Sequence, residues 1–191
     1  MKWLLLISLL VLSGCGLRID GQPYQTQQPQ LDIVRFFSGE VKGWGIVQNR
    51  SGNVVSRFTV TIKGDYQNGV LTLDETFFYG LGDGVKHRVW TIQPQANNKF
   101  YGRANDIPGP ARGQSFGNAL YWGYHMDLPV DDSTYNVKFE DWMWAFDSQT
   151  LVNRSYIRKF GITFAEVTIF MQRQHTDNEN TRAPAADITP I

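Results

Sequence analysis

The sequence contains one cysteine, Cys15, among its 191 residues. No intrachain disulfide can therefore form, and stability has to come from packing and backbone pairing. The sequence also lacks an excess of charge, since 18 Lys and Arg balance 18 Asp and Glu. No basic block is present, which argues against a nucleic-acid partner and against electrostatic binding to lipid head groups.

A long apolar run is missing as well. Trp3–Leu12 is apolar except for Ser8, but a segment needs about 20 residues to cross a hydrocarbon core. The run follows a lysine and precedes two small residues, which is the order of a signal peptide. An alternative is a buried N-terminal helix with an incidental cysteine.

The stretch Leu12-Ser13-Gly14-Cys15 resembles the lipobox of bacterial lipoproteins. The resemblance implies that residues 1–14 are a lipoprotein signal peptide and that Cys15 is the site of lipid attachment. It also implies an outer-membrane location on the periplasmic face, because Gly16 rather than an aspartate follows the cysteine. The membrane partner is then reached through the N-terminal lipid, since stable anchoring needs two or more acyl chains.

Both ends of the remaining chain are polar. Residues 15–32 are rich in glutamine and contain Pro23 and Pro29, which predicts a flexible tether. Residues 174–191 are also polar, with Pro184 and Pro190, and predict a disordered tail. Residues 33–173 remain as one domain.

Within this domain apolar and polar residues alternate in short runs separated by turn residues, which is typical of strands. Short links between strands favour antiparallel neighbours, and closure into a barrel removes exposed edges. We therefore predict an all-β fold, a single antiparallel up-and-down barrel of about 8–10 strands that is lipocalin-like, with a two-sheet β-sandwich as the alternative. Nine strands are predicted: Trp44–Asn49, Val54–Lys63, Val70–Tyr79, Val85–Gln93, Lys99–Asp106, Asn118–Leu128, Thr134–Phe146, Leu151–Phe160 and Ile162–Arg173.

Three segments fit the alternation poorly. Ile107–Gly117 contains two prolines and several glycines and is predicted as a long loop, either a lid over a barrel mouth or an ordinary connection. Ile33–Gly39 is compatible with a short turn or helix. The strand pattern is weakest over Gln149–Gly161.

Several charged residues share strand faces with apolar neighbours. If these faces point inward, the barrel interior contains ionisable groups, and the Gly80–Gly84 hairpin places Glu75 opposite Arg88. One interpretation is a satisfied internal salt-bridge network. The other is that Arg88 binds a carboxylate or phosphate head group while aromatic residues line the path of its tail. The ligand-binding candidates are Arg88, Glu75, Asp106, Trp90, Trp122 and Asp141, and Glu166 is a further charged residue predicted to face inward.

Trp142-Met143-Trp144 places large apolar side chains at consecutive positions. Consecutive strand residues face opposite sides, so one side of this strand must place aromatic surface outside the barrel. Packing within the protein and an interface with a partner both remain open.

Signatures of enzymes and metal sites are weak. The three histidines do not have metal-ligand spacing. Ser115 lies in a Gly-X-Ser-X-Gly stretch but lacks the strand before it and the helix after it that a nucleophile elbow needs. We therefore predict no catalytic residue, no metal and no cofactor, and leave enzymatic activity open.

The span from Phe37 to Phe170 resembles an uncharacterised family of Gram-negative lipoproteins, domain of unknown function 3833. This resemblance implies a lipid-anchored, calycin-like β domain and transfers no catalytic residue. It is carried by Gly43-Trp44-Gly45, Leu73-Asp74-Glu75-Thr76-Phe77, Arg88-Val89-Trp90, Tyr101-Gly102-Arg103-Ala104-Asn105-Asp106, Gly117-Asn118-Ala119-Leu120, Asp141-Trp142-Met143, Asn153-Arg154 and Lys159-Phe160-Gly161.

Three functions follow as hypotheses. The first is a lipoprotein that binds or carries a fatty-acyl or phospholipid ligand in its barrel. The second is a structural or assembly lipoprotein that acts through contacts with an unidentified protein. The third is an enzyme acting on modified membrane lipids. An open apolar cavity favours the first, a filled core favours the second, and a cavity with unpaired carboxylates favours the third.

Overall fold

A computed structural model of the chain describes residues 19–130 and 133–174. The predicted signal peptide, the lipid-attachment site Cys15 and the tail from residue 175 onward lie outside the described residues. The start of the predicted tether, up to residue 18, lies outside them too.

Ten antiparallel strands form a closed barrel in sequential order, and β1 pairs with β10 to complete it. This confirms the predicted up-and-down barrel and excludes the two-sheet sandwich. The strands are β1 (Gly39–Asn49), β2 (Val54–Gln67), β3 (Val70–Leu81), β4 (His87–Gln95), β5 (Lys99–Ala104), β6 (Ala111–Phe116), β7 (Ala119–Val130), β8 (Ser133–Ala145), β9 (Thr150–Lys159) and β10 (Ile162–Arg173). A 3-10 helix (Gln22–Tyr24) and helix α1 (Ile33–Phe37) precede them.

Local chemistry explains the hairpins. Asn68 and Gly69 join β2 to β3 with φ angles of 52° and 80°. Asparagine and glycine tolerate such positive φ angles, and the tight turn that results sets the register of the flanking strands. Along β2, Phe58, Val60 and Ile62 alternate with more exposed neighbours and face the interior, as predicted.

Helix α1 forms the floor of the barrel, which is the end where β1 begins. The Asp32 side chain accepts a hydrogen bond from the Arg35 backbone N–H at 3.0 Å and caps the helix. Ile33 and Phe37 are buried beneath the strands. A Cβ at Gly64 would lie 1.7 Å from the Phe37 carbonyl oxygen, so only glycine permits α1 to approach β2 this closely.

The predicted loop Ile107–Gly117 is wrong in its second half, because Ala111–Phe116 forms β6 and pairs with both β5 and β7. The interpretation of this segment as a lid over the barrel mouth is therefore wrong as well, because β6 is part of the barrel wall. The physical reason is the indole ring of Trp122. A Cβ at Gly102 or Gly113 would lie 2.5 Å or 2.4 Å from that ring, so these inward positions have no apolar side chains to mark a strand.

The described part of the predicted tether lies against the barrel. Tyr24 contacts the rings of Trp142 and Trp144, with centroids 6.1 Å and 6.2 Å away. The Leu31 backbone N–H donates to the Gly117 carbonyl at 2.8 Å. Between Gly21 and Leu31 the chain is therefore part of the folded domain, because the outer face of β8 offers aromatic surface to pack on.

The same contacts explain the Trp142-Met143-Trp144 stretch. Met143 lines the interior, while Trp142 and Trp144 face outward. Trp142 is only 6% exposed because the rings of Tyr24, Phe116 and Tyr121 surround it. Packing within the chain is the correct interpretation here.

The prediction that Glu166 faces inward is wrong. The register of β10 against β9 shifts between Thr163 and Ala165, which is a bulge. A shift of one residue moves every following side chain to the other face. Glu166 therefore lies on the outer face, where it accepts a hydrogen bond from the Arg154 guanidinium.

Candidate functional site

The barrel encloses a cavity of about 330 Å³. Ile33 and Phe37 line it at the floor, and the β3–β4 hairpin borders the opposite end at Asp83–Val85. This volume is near the lower end of the range of about 300–1,000 Å³ that is typical of small-molecule sites. Much of the wall is aliphatic or aromatic and includes Val47, Phe58, Val60, Ile62, Leu73, Phe77, Val167 and Ile169.

A partly buried ion pair lies at one side of this cavity. Glu75 on β3 is directly opposite Arg88 on β4, as predicted. The closest partner of Arg88, however, is Asp106, which lies in the turn after β5. The Arg88 Nε donates to Asp106 Oδ1 and Oδ2 at 3.0 Å and 2.9 Å, and its Nη2 lies 2.8 Å from Oδ2. The two side chains are 12% and 20% exposed, so water screens the pair only weakly.

Aromatic rings surround the same guanidinium. Its central carbon lies 5.7 Å from the Trp90 ring centroid and 5.9 Å from that of Tyr124. Trp90 in turn meets Trp122 and Tyr124 edge to face, with centroids 5.5 Å and 5.2 Å apart. These contacts hold the donor fork of Arg88 in place. Its Nη2 also donates to Met126 Sδ at 3.4 Å.

Glu75 faces the cavity beside this pair. Burial raises the pKa of Glu75 to about 7, and the charges of Asp106 and Asp141 act in the same direction. Arg88 lowers the pKa, as does a hydrogen bond with Trp90, but burial is the larger effect. This carboxyl group therefore binds its proton more tightly than an ordinary glutamate does.

Asp141 on β8 is a second acidic group in the cavity wall and is 7% exposed. Burial raises its pKa to about 7, although Ser155 and Arg88 act in the opposite direction. Ser155 lies directly across from it on β9 and donates a hydrogen bond to Asn153 Oδ1 at 3.0 Å. Within residues 19–130 and 133–174, Asp141 Oδ1 is buried and has no hydrogen-bond partner.

Acidic groups outnumber basic groups in this region. Among the described residues that line the cavity, Arg88 is the sole Lys, Arg or His, whereas Glu75, Asp83 and Asp141 all contribute carboxyl groups. Burial alone would lower the pKa of Arg88, but Tyr124, Asp106 and Glu75 together raise it, so the guanidinium stays charged. Burial also raises the pKa of Tyr124, which keeps its phenol protonated.

Five of the six predicted ligand-binding candidates line the cavity: Glu75, Arg88, Trp90, Trp122 and Asp141. Asp106 joins them through its ion pair with Arg88. The expected role of Arg88 as a free anion anchor conflicts with this geometry, because Asp106 already occupies its donor fork. A network satisfied throughout is not what the structure shows either, since Asp141 Oδ1 is unpartnered within the described chain.

Several residues around the charged groups of the cavity were not predicted from the sequence. Tyr124 and Met126 continue the alternation that begins at Trp122, so the same pattern could have identified them. Asn153 and Ser155 lie on β9, where the strand pattern was weak. Small polar side chains on an inward face give little hydropathy signal, and only the pairing with β8 places them beside Asp141.

Neither a metal-binding cluster nor a long apolar helix occurs among the described residues. No group of three or more His, Cys, Asp or Glu side chains in residues 19–130 and 133–174 is arranged to hold a metal ion. In the same ranges no helix has the length and apolar character needed to cross a membrane.

Solved structures with the same fold include two barrels. A protein of unknown function from the DUF3598 family of Nostoc punctiforme has a TM-score of 0.56 and 12% identity over 77% of this chain. The chain spans about half of that protein, 51% of its length. The S-type phycobiliprotein lyase CPES from Guillardia theta has a TM-score of 0.53 and 9% identity, covering 75% of this chain and 91% of the lyase. At these identities the likeness shows a shared lipocalin-type barrel fold.

Comparison of the sequence with curated proteins returned no match. The sequence pattern of the protein family of unknown function DUF3833, in contrast, matches residues 9–173, which is most of the chain. The matched span includes every strand of the barrel and every residue that lines the cavity. The chain therefore belongs to the DUF3833 family.

Proposed function

We propose that this protein is an outer-membrane-anchored periplasmic lipoprotein whose barrel binds or carries a ligand with a fatty-acyl chain. The observation that carries the proposal is the cavity of about 330 Å³, with apolar walls and one polar cluster. Such a cavity suits a ligand with an apolar chain and a small polar end. A fold shared with a phycobiliprotein lyase is compatible with ligand carrying.

The apolar side of the cavity provides the driving force for binding. Val60 on β2 and Val167 and Ile169 on β10 lie on the two strands that flank β1 in the closed barrel. Transfer of a methylene group from water to such a wall is worth about 0.8 kcal/mol. A chain of several methylene groups would therefore bind measurably without any specific polar contact.

Anchoring through Cys15 would keep the barrel near the bilayer from which such a ligand comes. Replacement of Cys15 by serine removes the thiol that accepts diacylglycerol, so we expect the variant to fractionate with soluble periplasmic protein. Wild-type protein should fractionate with outer membrane. A Cys15→Ser variant that stays membrane-bound would contradict the proposed anchor.

The ligand proposal is tested by gentle extraction of the lipidated protein and native mass spectrometry. We expect a bound lipid in the wild-type barrel. Ile169→Trp fills the cavity and should reduce the bound fraction about tenfold, since it removes apolar contact worth more than 1.4 kcal/mol. Thr168→Trp is the matched control, because the neighbouring side chain is outside the cavity lining. Circular dichroism confirms that both variants fold, and absence of lipid from wild type under every growth condition would refute the proposal.

A second candidate function rests on the outer surface. Phe170, Trp44, Thr59 and Phe78 lie in one row of register partners across β10, β1, β2 and β3. We call these four residues the aromatic row. Its aromatic members Phe170, Trp44 and Phe78 are 42%, 41% and 63% exposed. Exposed aromatic surface of this kind favours contact with another protein.

Photo-crosslinking in cells tests the second candidate. A crosslinkable residue at position 78 should capture one defined partner if the aromatic row is an interface. The same residue at Gln93, an exposed position on β4, is the control. Equal and diffuse crosslinking at both positions would remove the support for protein contact.

A further inference from the structure

The cavity holds an acceptor without a donor. Asp141 Oδ1 is buried in the cavity wall and has no hydrogen-bond partner within the described chain, although Ser155 forms a hydrogen bond with the same carboxyl group. A buried polar atom without a partner destabilises the protein, and more so when its group is charged. A ligand that donates a hydrogen bond to this oxygen removes that penalty on binding.

Two donor groups of the site already have acceptors. Arg88 gives its Nε and Nη2 to Asp106 at 2.8–3.0 Å, and Ser155 donates to Asn153. A ligand carboxylate that took these two guanidinium nitrogens would have to displace Asp106. Asp106 would then be left as a partly buried, unpaired charge, which is strongly unfavourable.

The surrounding charges act against an anion as well. Glu75 and Asp141 both face the cavity, and the negative charge of Asp106 neutralises the guanidinium of Arg88. Above about pH 7, where Glu75 and Asp141 are ionised, a third negative charge among them would be repelled at low dielectric. Together these groups disfavour a free carboxylate or phosphate at the polar end of the cavity.

We infer that the polar end of the ligand is an uncharged hydrogen-bond donor, such as a hydroxyl or amide group, which donates to Asp141 while its apolar chain lies against the aliphatic walls. This inference rests on the proposed function and names the chemical class of the ligand. Candidate classes are fatty alcohols, acylglycerols with a free hydroxyl group and fatty amides. Free fatty acids and phosphatidic acids are excluded as preferred ligands.

The test uses dodecan-1-ol, dodecanamide and dodecanoate as probes of equal chain length. The lipidated wild-type protein is stripped of endogenous lipid, and probe binding is measured by displacement of a fluorescent apolar reporter at a pH near 8, where dodecanoate is fully ionised. We expect the alcohol and the amide to bind about tenfold more tightly than dodecanoate, since each can donate a hydrogen bond to the Asp141 carboxylate and ionised dodecanoate cannot.

Two variants of Asp141 separate the acceptor from its charge. Asp141→Leu removes the acceptor and should abolish the preference for the alcohol over dodecanoate. Asp141→Asn retains an acceptor oxygen but removes the charge, so alcohol binding should stay within about threefold while dodecanoate binding improves. Asp74→Asn is the control, because Asp74 is exposed on the outer face of β3 and pairs with His87.

The outcomes separate the proposal that the barrel carries a ligand from the inference about the polar end of that ligand. If no probe displaces the reporter from wild-type protein, ligand carrying itself fails. If all three probes bind equally, or dodecanoate binds best, ligand carrying stands and the head-group inference is overturned. If Asp141→Leu keeps the wild-type preference while remaining folded, Asp141 is not the acceptor and the inference is likewise overturned.

Discussion

The barrel interior has two layers that differ in chemistry and in their effect on stability. At the floor, Val41, Leu71 and Leu151 are 0% exposed, and α1 packs beneath them. Farther up, Glu75, Arg88 and Asp141 share a layer with aromatic rings and a cavity. Burial of apolar surface in the floor stabilises the folded barrel, whereas desolvation of the charged groups in the polar layer destabilises it. Retention of the costly layer in a barrel with a well-packed floor is what points to ligand binding.

The largest loss of stability should come from a substitution in the floor of the barrel. Phe37→Ala removes a side chain that is 4% exposed and opens the end of the barrel. We expect a loss of about 4 kcal/mol in the free energy of unfolding, as for other buried phenylalanines. Phe78→Ala, on a residue that is 63% exposed, should change it by less than about 0.5 kcal/mol. Urea denaturation compares the two, and equal losses would show that α1 does not stabilise the floor.

In the polar layer, Arg88→Met leaves Asp106 without its partner. We expect a loss of about 2–3 kcal/mol, smaller than for a fully buried pair because both side chains retain some exposure. The double variant Arg88→Met, Asp106→Leu should regain most of it, since Asp106 is no longer left as an uncompensated charge. If the double variant is no more stable than the single one, the pair contributes more than mutual neutralisation.

The aromatic wall of the polar layer depends on glycine. Gly113→Ala places a Cβ 2.4 Å from the Trp122 ring, so the ring must move. We expect a loss of about 2 kcal/mol from overpacking and a shift in tryptophan fluorescence. Gly109→Ala is the matched control because nothing lies within 4 Å of its Cβ position, and it should cost less than about 0.5 kcal/mol. Identical fluorescence of the two variants would contradict this packing.

The remaining effect is a gradual dependence of stability on pH, which adds to the effects of these substitutions. Burial raises the pKa values of Glu75 and Asp141 to about 7 from ordinary values of 4.5 and 3.8. The folded state therefore binds these protons more tightly than the unfolded state does. Their contribution to stability is complete below about pH 4 and is lost as the pH rises to about 7, by at most about 1.4 kcal/mol per pH unit for each group.

Denaturation over this pH range checks the prediction with Asp141→Asn and the outer-face variant Asp74→Asn. The slope of the free energy of unfolding against pH should decrease in Asp141→Asn, which cannot ionise at this position. Asp74→Asn should keep the wild-type slope. A wild-type slope in both variants would place Asp141 in contact with water.

Much of the fold was predictable because strand alternation and turn chemistry are local properties. The Asn68-Gly69 turn sets the register between β2 and β3, and the β3–β4 hairpin brings Glu75 opposite Arg88. The inward face of β2 likewise follows from alternation alone. Each of these features depends on residues close in sequence.

Other features depend on residues far apart in sequence. β6 has a weak strand pattern because the ring of Trp122 occupies the space at Gly113. The bulge in β10 turns Glu166 outward, and the aromatic face of β8 draws Tyr24 onto the barrel. None of these outcomes follows from local propensity, since each is decided by which side chains meet across the barrel.

The candidate site shows the same division. The sequence by itself determined that Glu75, Arg88, Trp90, Trp122 and Asp141 face inward, because the side-chain period of a strand is two. Only the tertiary structure decided that Arg88 pairs with Asp106 rather than with Glu75, and that Asp141 Oδ1 faces a cavity without a hydrogen-bond partner in the described chain. The β4–β5 register brings Arg88 beside Asp106 just as the β3–β4 register brings it beside Glu75, and the choice between them depends on how the side chains pack inside the closed barrel.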